Sequence, residues 1–119
     1  MARHNTFGTH GELLAKKYFE EQGYEILEGN WTFKKAEIDL ILYKDSTIIF
    51  AEVKTRKNNT FAEPEDFVGQ EKQKLIAMAA GEYIHLMDHR GEVRFDIISI
   101  LFDKFGNPMI RHIEDAFWP

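Results

Sequence analysis

Ionised side chains interrupt two runs that otherwise read as core, Ala36-Glu37-Ile38-Asp39-Leu40-Ile41 and Ile49-Phe50-Ala51-Glu52-Val53-Lys54. A buried carboxylate without a partner costs several kcal/mol or shifts its pKa, so something must compensate these acids. Side chains alternate along a strand, which places Glu37 with Asp39 on one face and Glu52 with Lys54 on one face. The register decides whether those faces coincide. A four-residue connection, Lys44 to Thr47, sets Tyr43 opposite Ile48, Asp39 opposite Glu52 and Glu37 opposite Lys54. A three-residue connection instead pairs Asp39 with Ala51 and sends Glu52 to the other face, unless a bulge restores the phase.

In the first register two carboxylates lie ~5 Å apart beside an ammonium. They repel, and a divalent cation such as Mg²⁺, which takes a few carboxylate oxygens and keeps water or substrate phosphate in its other positions, is a natural partner. Such a site suits phosphodiester hydrolysis, because the cation polarises the phosphoryl group and neutralises charge as the bond breaks. Lys54 would orient the attacking water or stabilise the transition state. The competing arrangement is a cross-strand ion pair between Lys54 and Glu37, with Asp39 and Glu52 at a wet end of the sheet. Structural ion pairs also perturb carboxylates, so spacing alone leaves both arrangements open.

The elements that must position these groups can be read from periodicity and turn residues. Thr9-His10-Gly11-Glu12 has the form of a capping box opening a helix that runs to about Gln22, with Leu14, Ala15, Tyr18 and Phe19 as its apolar stripe and Gly23 as its stop. Tyr24 to Glu28 is extended. After Gly29-Asn30 and a mixed stretch through Lys35, the runs Ala36–Tyr43 and Thr47–Lys54 form a hairpin about Lys44-Asp45-Ser46. The polar stretch from Arg56 to about Asp66 reads as a long loop. A second helix spans about Gln70 to Leu86, with Leu75, Ala79, Tyr83 and Leu86 on its buried side, and ends at Asp88 to Gly91. Val93–Phe102 and Met109–Ile113 are strands about the turn Gly106-Asn107-Pro108. The order αβββαββ implies a mixed sheet with helices packed on it.

At 119 residues the chain fits a single domain spanning 1–119 and can bury roughly two-thirds of its unfolded surface. Hydrophobic residues at 44% and charged residues at 29% lie in the globular range, and no repeat or low-complexity tract is present. No apolar run is long enough to span a bilayer and none resembles a signal peptide, so a cytoplasmic protein without a membrane partner is expected. The absence of cysteine excludes thiol catalysis and thiolate metal sites and leaves oxygen and imidazole ligands. A net charge of −5 opposes bulk attraction to a phosphate backbone. The excess acid, however, lies in the second half: residues 1–57 carry nine basic and nine acidic side chains, and residues 58–119 carry six and eleven.

Glu37-Ile38-Asp39-Leu40-Ile41, the thirteen-residue step from Asp39 to Glu52, and Glu52-Val53-Lys54 resemble the core of PD-(D/E)XK nucleases. Nearly the whole chain resembles the YraN-like bacterial proteins related to Holliday-junction resolvases. The supporting words are Gly11-Glu12, Gly29-Asn30, Glu52-Val53-Lys54-Thr55-Arg56, Lys72, Arg94-Phe95-Asp96, His112-Ile113 and Ala116-Phe117. The resemblance implies a restriction-endonuclease-like core with about five strands. It also implies a Mg²⁺ or Mn²⁺ ion held by Asp39, Glu52 and the Val53 carbonyl, with Lys54 assisting catalysis and Glu12 completing the acidic cluster. For Glu12 two readings stand, a metal ligand or the third residue of a capping box. The implied substrate is DNA, in branched or structured form, and a homodimer would suit a junction with two strands to cut.

Other residues carry weaker expectations. Arg56 and Lys57, directly after the Lys54 strand, and Lys72 and Lys74 at the start of the second helix are candidate phosphate contacts, against the common reading of lysines as a solvated face. Asp96 reads as a hydrogen-bonded structural acid. The five histidines show no metal-ligand spacing and read as surface residues. Trp31, Phe61 and Trp118 could stack on bases, though core or rim positions are commoner for aromatics. Two functions are therefore expected: a metal-dependent endonuclease, or a catalytically silent nucleic-acid-binding or adaptor domain that keeps the nuclease fold. A protein-binding domain whose acids form ion pairs is a third.

Overall fold

A computed structural model describes residues 6–57 and 68–119, with side chains from Thr9 onward. Among the described residues the order is α1 (Thr6–Glu21), β1 (Glu25–Phe33), β2 (Ala36–Lys44), β3 (Thr47–Lys57), α2 (Gln70–Leu86), β4 (Glu92–Phe102) and β5 (Pro108–Ile113). The strands form one mixed sheet in sequence order, antiparallel except for the parallel pair β3–β4. The fold is α/β in the expected order αβββαββ, consistent with a restriction-endonuclease-like core. No helix among the described residues is long and apolar enough to cross a membrane.

The helices cover opposite faces because the strands alternate. On one face Ala15 and Phe19 of α1 pack on Leu40, Leu42, Ile49, Ala51, Ile98 and Ile100. On the other, Ile76, Ala79, Ala80 and Tyr83 of α2 pack on Ile41, Ile48, Phe50, Phe95 and Ile97. The stripe of α1 is the expected one, and Gly23 ends the helix with φ +91, a conformation that glycine adopts without penalty. The stripe of α2 differs from expectation. Leu75 and Leu86 are exposed and the seam runs Ile76-Ala79-Ala80-Tyr83, which follows the i, i+3, i+4, i+7 spacing of a helical face more closely than the wider set centred on Leu75.

Three boundaries also move. α1 begins at Thr6, so Thr9 is inside the helix and the expected capping box does not form. β1 continues through Gly29-Asn30 to Phe33, with a register shift between Ile26 and Glu28 and Asn30 at φ 52. A bulged strand carries turn-type residues without ending. β3 runs on to Lys57, because its parallel partner β4 pairs with it as far as Lys57 opposite Phe102. Arg56 and Lys57 therefore belong to the strand and not to the expected loop, and the remainder of that expectation, together with Phe61, falls outside the described residues.

Candidate active site

The β2–β3 turn sets the register of the site. Asp45 and Ser46 both have positive φ, 52 and 62, as the two central residues of a type I′ hairpin require. Lys44 then pairs with Thr47, Tyr43 with Ile48 and Leu40 with Ala51. This is the register that brings Asp39 opposite Glu52, reached with a tighter turn than the four-residue connection. Paired residues end at Leu40 and Ala51. In a continued ladder Val53 would oppose Ile38; instead the Val53 N–H donates to Asp39 Oδ2 at 2.8 Å. In a regular antiparallel ladder the N–H and C=O of one residue point to the same edge, which would turn the Val53 carbonyl toward β2 as well.

Core packing changes at this point. Ile38 joins the α2-side cluster and Leu40 the α1-side cluster although they are two residues apart, so strict alternation along β2 breaks at Asp39. The strand departs from β3 there, and the acid lies at the fork.

Glu52 lies opposite Ile97 on β3 and shares with it the face toward α2. It is 2% exposed, and neither carboxylate oxygen has an aligned hydrogen-bond donor among the described residues. Lys72, the third residue of α2, brings Nζ to 2.8 Å from Oε1, an ion-pair contact that lacks the direction of a hydrogen bond. Burial and the neighbouring charge of Asp39 push the Glu52 carboxyl up to about 7, with the Lys72 ammonium and the Asp39 amide opposing the shift. Asp39 is raised as well. Burial is the main cause, and the charges of Glu12 and Glu37 add to it while the Val53 N–H and Lys72 offset part.

Lys54 is half-buried on the same face, and its side chain makes no hydrogen bond or ion pair among the described residues. Desolvation, with the positive charges of Lys72 and Arg56, holds its ammonium below the usual lysine range. The alternative ion pair between Lys54 and Glu37 does not form. Glu37 is exposed and lies opposite Thr32 on β1, because the β2–β3 ladder has already ended. The amine that meets an acid is Lys72.

Glu12 reaches the site by a close approach of α1 to β3. A Cβ on Gly11 would lie 2.5 Å from Thr55 Oγ1, so only glycine lets the helix come so near. With the capping box absent, that explanation of Glu12 falls away. Its charge acts on Asp39, and its Oε1 accepts from Asn30 Nδ2 at 3.3 Å. It is not gathered with Asp39 and Glu52, since no three acids or histidines form a metal-holding group among the described residues. A cleft of ≈ 410 Å³ opens beside Asp39, lined by Lys35 and Glu37 on one wall and by Glu71, Lys72, Leu75 and Ile76 of α2 on the other.

The donor set fits a hard divalent cation. Mg²⁺ is commonly held by one or two carboxylates with its remaining positions open to water or phosphate, and Glu52 offers two buried oxygens without an aligned hydrogen-bond donor, one of them in ion-pair contact with Lys72. Of the candidate phosphate contacts, Arg56 and Lys57 end β3 beyond Lys54, and Lys74 is exposed on α2.

Two sequence readings outside the site are now specific. Asp96 is a structural acid, as expected: fully buried, it accepts from Arg94 Nε at 2.9 Å and Nη2 at 2.8 Å, and from the Asp115 N–H at 3.0 Å. His112 corrects the surface reading of the histidines, since its Nε2 lies 2.8 Å from Asp96 Oδ2 and its side chain is only 7% exposed. Trp31 packs edge-on against Tyr83, and Trp118 packs against Phe95. Trp31 borders the α2-side core, as the commoner reading of aromatics expects, whereas Trp118 is 60% exposed at the rim.

A family model described as "Uncharacterised protein family UPF0102" matches residues 11–100. Similar proteins include a UPF0102 protein of Flavobacterium psychrophilum, 44% identical over 99% of this chain and 98% of its own length. One of Bacteroides thetaiotaomicron is 42% identical over 100% of this chain and 98% of its own, and one of Rhodococcus opacus is 37% identical over 98% and 100%. The matched span holds the acid pair, both amines and the Gly11-Glu12 approach, and with these full-length likenesses it establishes that the chain belongs to the UPF0102, or YraN-like, family.

Proposed function

We propose that the protein is a metal-dependent endonuclease that hydrolyses phosphodiester bonds in DNA, with branched or structured DNA as the favoured substrate class. The observation that carries this reading is Glu52, a buried carboxylate with no aligned donor, near the charge of Asp39 just beyond the last β2–β3 pair. Asp39, Glu52 and the Val53 carbonyl would hold Mg²⁺ or Mn²⁺, which supplies Lewis-acid polarisation of the scissile phosphate. The remaining steps belong to the chain. Lys54, with its proton affinity lowered by desolvation, would orient a water and hold or pass its proton. Glu12 would add negative charge that favours cation capture, and Arg56, Lys57 and Lys72 would contact the phosphate backbone. Two chains acting together would address the two strands of a junction.

Cleavage of linear, flapped and four-way DNA in Mn²⁺ tests the reading. Nicking should be lost in Asp39→Ala and reduced at least about 100-fold in Lys54→Ala, the scale of one general acid or base. An unchanged rate in either variant would overturn it. The catalytically silent binding domain is favoured by one feature, the Lys72–Glu52 pair, which supplies an internal cation. Metal-independent binding to branched DNA that weakens with salt, without nicking, would establish that second reading.

A further inference from the structure

Lys72 stands beside the acids where a cation is required, and it is attached loosely. Its Nζ is 2.8 Å from Glu52 Oε1, yet 53% of its side chain is exposed, and neither Glu52 oxygen receives an aligned donor. The ammonium also acts on Asp39, so the charge in ion-pair contact with Glu52 is shared between two carboxylates, with Lys54 acting on both from farther off. That balance is incomplete. A divalent ion on the same pair would neutralise both acids, and would repel an ammonium left within a few ångströms of it.

We infer that Lys72 is an exchangeable counter-ion: it holds Glu52 in the metal-free protein and is displaced by the arriving divalent cation into the adjacent cleft, where it meets a DNA phosphate. The inference rests on the metal-site reading of Asp39 and Glu52. Three features support it. The long stem of Lys72 leaves a solvent-exposed position in α2, so it can swing without moving the helix. Lys72 already lines the cleft that would receive it, across from Lys35. Exchange replaces one positive charge at the acids by two and delivers the freed charge to the substrate side, so cation and DNA binding assist each other.

Calorimetric titration with Mn²⁺ compares the native protein with Lys72→Met, Lys74→Met and Asp39→Asn, all in the absence of DNA. Lys72→Met should bind Mn²⁺ about tenfold more tightly, as loss of a competing ion pair worth one decade requires. Lys74→Met removes the same charge two residues along α2 and should stay within about twofold, which separates exchange from a general field effect. In Ca²⁺, the gain in DNA affinity that the cation produces should be lost in Lys72→Met and kept in Lys74→Met. Equal or weaker Mn²⁺ affinity in Lys72→Met overturns the exchange and makes Lys72 a permanent partner of Glu52. Binding by neither the native protein nor Lys72→Met instead overturns the metal site itself.

Discussion

The Val53 N–H donates to Asp39 Oδ2 at 2.8 Å, at the rung where the β2–β3 ladder would otherwise continue to Ile38. The carboxylate thus closes the fork in the sheet with one oxygen and leaves its other oxygen directed away from that bond. A single residue joins the architecture to the chemistry proposed for it.

That dual role separates two variants. Asp39→Asn keeps a side-chain carbonyl for Val53 and should unfold in urea within about 0.5 kcal/mol of the native protein, while Asp39→Ala orphans the amide and should cost about 1–3 kcal/mol. Both should lose divalent-cation binding. Equal stability of the two variants would show that the Val53 bond does not support the sheet.

Glu52 makes the metal-free protein sensitive to pH. Its carboxyl is raised from 4.5 to about 7, so between these values the native state retains a proton that the unfolded chain has released, and stability falls as pH rises. The contribution is fully present below pH 4.5 and is lost by about pH 7. The urea midpoint should therefore drop across this window more steeply in the native protein than in Glu52→Gln, measured without divalent ions. Mg²⁺ should restore stability at pH 7 in the native protein only, and parallel slopes for the two proteins would refute the assignment.

Asp96 should behave in the opposite sense. Burial alone would raise it, but hydrogen bonds from His112, Arg94 and the Asp115 N–H outweigh burial and hold it below the usual aspartate range. Its contribution is present above pH 3.8 and is lost as pH falls through the depressed value. Asp96→Ala strands Arg94 and His112 and should cost about 3–5 kcal/mol in chemical denaturation. Any Asp96→Ala protein that folds should keep its Mn²⁺ affinity, since the network lies apart from the acid pair.

Gly11 can be tested through its neighbour. Gly11→Ala drives a methyl into Thr55, a β-branched residue with little freedom to turn away, and overpacking of this kind costs about 1–3 kcal/mol. Adding Thr55→Ala should recover most of that loss. A double variant no more stable than Gly11→Ala would mean that α1 does not rest on this contact.

What the sequence made legible follows the range of the forces involved. Asp39 and Glu52 could be matched because a short turn fixes a register locally, and the acids interrupt apolar runs visibly. Glu37 was assigned to Lys54 by extending that ladder, but the end of pairing depends on how β1 and α2 pull β2 aside, which is not encoded within the hairpin. The start of α1 was placed at a capping pattern that the packed helix overrides. Lys72 reads from sequence as a candidate phosphate contact or a solvated lysine and not as a partner of Glu52, since that contact exists only once α2 has docked across the sheet. The α2 stripe shows the signal available: Ile76, Ala79, Ala80 and Tyr83 define the buried face, and Lys72 stands one turn before Ile76 on that side.

The two-residue turn at Asp45-Ser46 has a kinetic consequence. Hairpins of this kind form in roughly 1–10 μs and carry little loop-closure entropy, whereas the parallel β3–β4 pairing must wait for the whole crossover through α2. The two acids are then brought near each other early in folding, before the helix that bears the neutralising lysine arrives. During that interval a dissolved ion is the nearest source of positive charge, so the divalent cation proposed for the mature site would also speed its assembly.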